Sequence, residues 1–268
     1  MLLFRLPVYH RKMKKKNSGT SSQEILIGRK PVVDALAAEV PISAVWIDRA
    51  LRGPEEIQIR KMAKDQAIPL KRVARQVLNK KTKANHQGVV AFTSPVRFAD
   101  LENVIQHVFT QGETPLLLYL DRIQDVGNLG SIIRTAEVMG VHAIILPAQK
   151  MAPVNDQVIK ISAGAVFHIP VCRINHVTDA MELMKNTGIR IVASSLKSDK
   201  KIKDTNLTDP VCLVIGSEDT GISPEIESLA QEFFIIPQFG HTESLNAAVA
   251  AAMMVYEAQR QRDQSLLP

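Results

Sequence analysis

Five uninterrupted apolar runs of strand length constrain the fold of this chain more than any other feature. They are TPLLLYL (114–120), HAIILP (142–147), IRIVASS (189–195), VCLVIG (211–216) and FFIIP (233–237). A strand with one solvated face alternates apolar and polar residues, whereas a strand buried on both faces reads as a continuous run. The continuous pattern belongs to parallel sheets covered by helices. Helical stretches fall between the runs, at 129–139, 176–186 and 223–231. A last helix from Leu245 to Arg260 is expected to bury Leu245, Ala248, Val249, Ala252, Met253 and Tyr256, which share one face at helical spacing. The expectation is an α/β domain on a parallel sheet. No run approaches the roughly 18–20 apolar residues of a membrane helix. The opening MLLFRLPVYH places its basic cluster after the apolar stretch, opposite to a signal peptide. Cys172 and Cys212 sit in apolar runs with no metal-ligand spacing, as buried thiols of a reducing cytoplasm do.

A smaller α/β unit precedes this series. ILIG (25–28), ISAVWID (42–48) and GVVAF (88–92) read as strands. PVVDALAAE (31–39) and PEEIQIRKMAKDQ (54–66) read as helices, the second with Ile57, Ile59, Met62 and Ala63 at helical spacing. The expected organisation is a basic, disordered tail (1–23), a small α/β domain (24–95), a linker region opened by the Ser94-Pro95 turn signal (96–113) and the larger domain (114–268). Charge follows the same division. Residues 1–90 hold 19 basic and 7 acidic side chains, while the whole chain has a net charge of only +6. No acid lies between Asp65 and Asp100, yet Lys71, Arg72, Arg75, Lys80, Lys81 and Lys83 accumulate there, with Arg29 upstream. Such a block reads as a phosphate-backbone footprint, because each neutralised phosphate releases a counterion.

Three polar islands close apolar runs of the larger domain: LDRIQDVGNLGSIIRTAEVMGV (120–141), LVIGSEDTGIS (213–223) and IIPQFGHTESLNAAVA (235–250). Ligands of open α/β sheets bind outside the carboxyl ends of the strands, so three such islands point to one composite site. The first lacks both the Gly-Lys-Ser/Thr ending of a phosphate loop and the dinucleotide glycine spacing. What it offers is a strand-to-helix turn with Asn128 near the helix start and Arg134 further in, over a buried face of Ile132, Ile133, Ala136 and Met139. Arg134 pairs either with Glu137 on its own helix or with Glu218 of the second island. Glu218 suits a helix start, where the macrodipole favours a carboxylate, and one of Glu243, Ser244 and Asn246 suits an N-cap.

Taken together, the islands resemble the three signature motifs of the SpoU (TrmH) branch of the SPOUT superfamily, RNA ribose 2′-O-methyltransferases. The first motif matches at Asn128, Gly130, Arg134, Thr135 and Ala136, the second at Gly216, Glu218 and Gly221, and the third at Ile236, Pro237, Ser244, Leu245 and Asn246. A further family stretch matches Lys160, Ser162, Ala163, Gly164 and Ala165, and IGRKPVVDAL with HQGVVA resembles the family's amino-terminal substrate-binding module. Departures are modest: Val126 replaces a common proline, Gln238 a common methionine, and AAVAAA follows Asn246.

The resemblance implies a trefoil-knotted parallel-sheet methyltransferase domain behind a small α/β RNA-binding domain. It implies S-adenosylmethionine as cofactor, held largely by backbone groups at Gly216, Ile236 and Leu245, and a homodimer; no metal is expected, since no His/Cys/Asp cluster has ligand spacing. It assigns catalysis to Arg134, Asn128, Glu218, Ser244 and Asn246. A guanidinium is charged at any working pH, so Arg134 is expected to orient the ribose hydroxyl and an adjacent phosphate while a neighbouring acceptor or the phosphate itself helps take the proton. The amino-terminal module makes 23S ribosomal RNA guanosine methyltransferases the nearest resemblance. A transfer-RNA ribose methyltransferase and a non-catalytic RNA-binding protein of the same fold are the alternatives.

Overall fold

The computed structural model describes residues 25–242 and 244–263; the basic tail and Glu243 lie outside them. Two sheets organise the chain. The smaller has the order β1-β4-β2-β3, built from β1 (Ile25–Ile27), β2 (Ile42–Asp48), β3 (Leu70–Val73) and β4 (Val89–Thr93). In it β4 runs antiparallel to β1 and β2, while β2 and β3 are parallel. On one face α1 (Arg29–Ala37) and α2 (Pro54–Asp65) bury Val32, Leu36, Ile59 and Ala63 against Val45, Ile47, Val89 and Ala91. Ile57, expected in this core, is 56% exposed. The turn of α2 is set instead by Glu56, which is buried because its carboxylate receives Arg72 of β3. Among the described residues the opposite face carries only α3 (Arg75–Lys81), whose Leu78 meets Val73, Val90 and Phe92 and leaves Trp46 half-buried.

The larger sheet has the order β10-β8-β9-β5-β6-β7, every neighbouring pair parallel. Its strands are β5 (Leu116–Leu120), β6 (Ala143–Pro147), β7 (Val171–Ile174), β8 (Arg190–Ser194), β9 (Val211–Ile215) and β10 (Glu232–Phe234). Side chains alternate across a strand. Leu116, Leu118 and Leu120 enter the core shared with α5 (Val126–Val138), α6 (Asp156–Ile161) and α9 (Ala247–Arg262). Leu117 and Tyr119 enter the core shared with α4 (Leu101–Thr110), α7 (Val177–Asn186) and α8 (Pro224–Leu229). Burial on both faces is what the continuous apolar runs required. Burial also pushes the Cys172 and Cys212 thiols up to about 12, leaving them as unreactive core residues. Among the described residues no helix is long and apolar enough to cross a membrane.

Two readings of helices need correction. The stretch 96–113, read as a linker, contains α4, capped by Asp100 and burying Leu101, Val104, Ile105 and Val108 against the larger sheet. In α9 the buried face is Ala247, Ala250, Ala251, Met254, Val255 and Ala258, whereas Val249, Met253 and Tyr256 are 49%, 44% and 59% exposed. An alanine-rich helix has apolar stripes on more than one side. Four alanines with Met254 and Val255 face the core here, and the stripe of Val249, Met253 and Tyr256 is left outside.

Arg173 and Asn175 join the two sheets. Arg173 of β7 donates to the carbonyls of Ile42 (2.9 Å) and Gln66 (3.5 Å) and lies 3.9 Å from the Phe98 ring centre. Asn175 donates to the Lys64 carbonyl.

Candidate active site

β5 is the switch point of the larger sheet: β6 and β7 extend from one side of it, β9, β8 and β10 from the other. Crevices at such points are where open α/β sheets bind ligands, and here the loops after β5 and β9 meet. The β9 loop closes on itself, Ser217 and Gly221 exchanging backbone hydrogen bonds of 3.0 and 2.9 Å. A Cβ on Gly216 would sit 2.1 Å from the Gly221 carbonyl carbon, so only glycine permits the closure. The β5 loop grips this turn. Arg122, at a left-handed φ of 59°, donates to the Gly221 carbonyl (3.0 Å), and buried Asp121 accepts from the Ser223 N–H (2.5 Å). Strained backbone of this kind persists where the surroundings over-determine it.

Two helix starts complete the site. Asp125 caps α5 by accepting from the Asn128 N–H (2.8 Å). Gly130 lets α5 press on α6, since a Cβ there would lie 2.7 Å from Ile161. The next residues, Ser162 to Ala165, turn away through Ala163 (φ 50°) and Gly164 (φ 83°), with Ser162 fully buried. Asn246 caps α9, its Oδ1 accepting from the N–H groups of Ala248 (3.0 Å) and Val249 (3.3 Å).

Asn128, Glu218 and Asn246 then interlock. Glu218 Oε1 accepts from Asn128 Nδ2 (2.9 Å), Asn246 Nδ2 (2.5 Å) and the Ala247 N–H (2.9 Å). Asn246 Nδ2 also donates to Asn128 Oδ1 (2.9 Å). A carboxylate only accepts, so both amide orientations follow from it. Both hydrogens of Asn246 Nδ2 are then used, and one on Asn128 is left. The polar capacity remaining in the triad is that Asn128 N–H together with Glu218 Oε2. Glu218 does serve a helix start, that of α9 rather than one following its own strand.

The other candidates stand apart from this network. Arg134 lies six residues beyond Asn128 on α5, about 9 Å along the axis at 1.5 Å per residue. Neither expected partner holds it: among the described residues Arg134 pairs with neither Glu137 nor Glu218, and it extends into solvent. Ser244 is also exposed and free of hydrogen bonds among the described residues. Gly216, Ile236 and Leu245 fit a cofactor held by backbone groups. Their N–H and C=O groups enter none of the hydrogen bonds among the described residues, although the Ile236 side chain is buried.

On the smaller sheet the basic residues divide. Arg29 donates to the Gln87 carbonyl (3.1 Å) and pairs with Glu55 (3.6 Å), and Arg72 is tied to Glu56, so both are fastened into the fold. Arg75 lies 3.8 Å from Asp48. Lys71 and Lys81 stand 5.8 and 5.3 Å from the centre of the Trp46 ring, and Lys80 and Lys83 are exposed. Sequence reasoning missed Asp121, Arg122 and Asp125, although an Asp-Arg pair directly after a buried strand is a visible signal. It also missed Arg173, whose role depends on where two separate units dock.

Comparison with known proteins gives a consistent picture. Residues 115–256 match the SpoU rRNA Methylase family, and residues 25–99 match the model described as RNA 2′-O ribose methyltransferase substrate binding. A putative TrmH family tRNA/rRNA methyltransferase, YacO of Bacillus subtilis, is 31% identical over 91% of this chain and 98% of its own length. Among solved structures, the SpoU methyltransferase AviRb from Streptomyces viridochromogenes, in complex with AdoMet, superposes with a TM-score of 0.57. It is 27% identical, with coverage of 89% of this chain and 90% of that one. An AdoMet-bound rRNA methyltransferase from Sinorhizobium meliloti has the same TM-score at 28% identity, with coverage of 91% and 88%.

Proposed function

The chain belongs to the SpoU rRNA methylase family, and from that premise we propose that it methylates a ribose 2′-hydroxyl of ribosomal RNA, a 23S guanosine, using S-adenosylmethionine. The observation that carries this reading is the interlocked Asn128–Glu218–Asn246 triad at the sheet's switch point. Its unused groups are a carboxylate oxygen and an amide N–H. A ribose edge offers their complement, a hydroxyl that donates and an oxygen that accepts. S-adenosylmethionine would supply a methyl group on a sulfonium, and Gly216, Ile236 and Leu245 would hold it through their unpaired backbone groups. Holding hydroxyl and methyl donor in line contributes several kcal/mol of the barrier. Arg134 keeps its proton and engages the hydroxyl and an adjacent phosphate by charge-assisted hydrogen bonds. Within the triad, Glu218 Oε2 is the group able to receive the hydroxyl proton. Ser244 lies two residues from Asn246 and contacts the incoming ribose.

The remaining features have places in the same reading. Lys71, Lys80, Lys81 and Lys83 meet the RNA backbone, with Arg29, Arg72 and Arg75 at the edges of that surface. Residues 24–95 bind RNA and residues 114–268 transfer the methyl group, with α4 of the 96–113 stretch packed on the larger sheet. The trefoil knot is supported by the chain around Ile235, which Lys200 and Ile202 hold by bonds of 2.8 and 3.0 Å while Gln261 of α9 is bonded to Thr205 and Leu207. A homodimer places a second copy over the exposed Val138, Val249, Met253 and Tyr256. A cytoplasmic location suits an enzyme of ribosomal RNA. The intact triad argues against a non-catalytic RNA-binding protein of the same fold.

The test is a map of 2′-O-methyl sites in total RNA from cells lacking the gene and from complemented cells. One mark in large-subunit ribosomal RNA should vanish and return. A mark missing from transfer RNA alone overturns the ribosomal assignment, and an unchanged map overturns the enzymatic reading.

A further inference from the structure

The smaller domain contains a cavity of about 340 Å³ that the reading above leaves without a role. It is open to solvent and lined by Arg75 and Asn79 of α3 and by Thr82, Lys83, Ala84, Asn85 and His86 of the following loop. That volume lies at the lower end of the ~300–1,000 Å³ range of ligand pockets, enough for one small ligand. The polar atoms of its wall are sorted by hydrogen bonding. His86, 4% exposed, accepts the Gly88 N–H at Nδ1 (3.0 Å), so its hydrogen is on Nε2 and is donated to Asn79 Oδ1 (2.8 Å). Asn79 therefore turns its amide nitrogen away from His86. In the loop, Thr82 Oγ1 accepts from the Ala84 N–H (3.1 Å) and Asn85 Oδ1 from the Gln87 N–H (3.3 Å). Each of these side-chain acceptors thus already receives an N–H from within the wall. What remains for a ligand is the amide N–H groups of Asn79 and Asn85, the ammonium of Lys83, and the Arg75 guanidinium. No acidic side chain lines the cavity, and Arg75 has only a 3.8 Å pairing with Asp48. A wall of donors and cations selects an anion rich in acceptors.

Resting on the RNA-binding reading, we propose that this cavity holds one internal nucleotide of single-stranded RNA. Arg75 and Lys83 bind its phosphate, and the Asn79 and Asn85 amides bind acceptors on its base or sugar. An unpaired nucleotide can be splayed into such a space, as sequence-specific RNA recognition generally requires, whereas a paired one stays stacked in its duplex. Buried His86 is a positioning residue, fixing which end of Asn79 faces the ligand.

The test uses the full chain and measures affinity for a fluorescently labelled ten-nucleotide single strand, a duplex of the same sequence, and free guanosine monophosphate over a range of salt. Asn79→Asp keeps an oxygen toward His86 but replaces the outward donors with a carboxylate oxygen. It should weaken single-strand binding at least tenfold with an unchanged melting temperature. Lys83→Gln removes one phosphate contact and should lower the slope of log K against log[salt] by about 0.7, the value per contact for single strands. The wild-type chain should prefer the single strand to the duplex and bind guanosine monophosphate far more weakly than either. Single-strand affinity and salt slope unaltered in both variants overturn the cavity as an RNA site while leaving RNA binding intact. Guanosine monophosphate binding as tightly as the oligonucleotide replaces an RNA site with a free-nucleotide site. Failure of the wild-type chain to bind any RNA overturns the underlying reading as well.

Discussion

The two sheets solve opposite problems. Every strand of the larger sheet is sandwiched between helices, so its two faces are spent on packing and polar chemistry is confined to the loops at the strand ends. There the polar groups are few and mutually fixed, as in the Asn128–Glu218–Asn246 triad. The smaller sheet covers one face fully and the other with the seven residues of α3, which leaves Trp46 half-buried among lysines. Its polar groups are numerous and cationic: Arg29, Arg72 and Arg75 pair with acids, Lys71 and Lys81 stand over Trp46, and Lys80 and Lys83 are exposed. Bond-making at a defined atom needs groups held in place before the substrate arrives. Backbone recognition tolerates mobile charges, because it reads phosphates rather than positions.

The largest effects should come from disturbing the strand ends. Arg134→Ala is expected to lower methyl transfer at least about 100-fold, the usual cost of losing an electrostatic contact to the reacting centre, while calorimetry finds S-adenosylmethionine affinity within about twofold of wild type. Joint loss of both would mean that Arg134 belongs to the cofactor site and would break the division of roles. Gly216→Ala forces a methyl group into the backbone of Gly221. Overpacking of this kind costs about 1–3 kcal/mol, and opening the turn removes a cofactor contact as well. A lowered melting temperature with cofactor affinity retained would show that the turn only supports the fold.

How far the sequence revealed this arrangement depended on whether a feature is local. Continuous apolar runs announced the parallel sheet, because burial on both faces leaves no other pattern at Leu116 to Leu120. The triad members were visible as polar residues after those runs. That they bond to one another was not, since Asn128 and Asn246 are brought together by β5, β9 and α9. The exposed stripe of α9 was misread because Val249, Met253 and Tyr256 satisfy helical spacing as well as the alanines that face the core. The helix at 101–110 carries its period in L-x-x-V-I-x-x-V, but the Ser94-Pro95 turn signal just before it reads as a domain boundary. Arg72 is legible as part of the basic run, but its pairing with Glu56 is not, because it depends on how β3 docks beside α2.

The join between the sheets should give an intermediate effect. Arg173 spans the two units by hydrogen bonds to two backbone carbonyls and by stacking on Phe98. Arg173→Ala leaves those acceptors unpaired, a loss of about 1–3 kcal/mol for buried groups. Small-angle scattering should detect looser docking, and transfer to a long RNA substrate should fall more than cofactor binding does. Equal activity on long and short substrates would indicate that the two units act independently.

The smallest effect tests whether α9 is fixed only by the triad at its start or also by polar contacts near its end. Glu257 accepts two hydrogen bonds of 2.8 Å from Arg260 and one of 2.8 Å from Gln261, whose amide also reaches the Thr205 carbonyl. Those bonds from Arg260, foremost, hold the Glu257 carboxyl below its usual range. A carboxyl depressed in the folded state binds its proton more weakly than in the unfolded chain, so its stabilisation is present above the usual carboxylate range of about 4. That stabilisation is lost as pH falls through the depressed value. Glu257→Gln should therefore melt slightly below wild type at neutral pH, with the gap narrowing on acidification until the curves meet. A gap independent of pH would attribute the loss to packing rather than charge. The end of α9 would then resemble the sheet faces, held by shape, and fixed polar geometry would be confined to the strand ends.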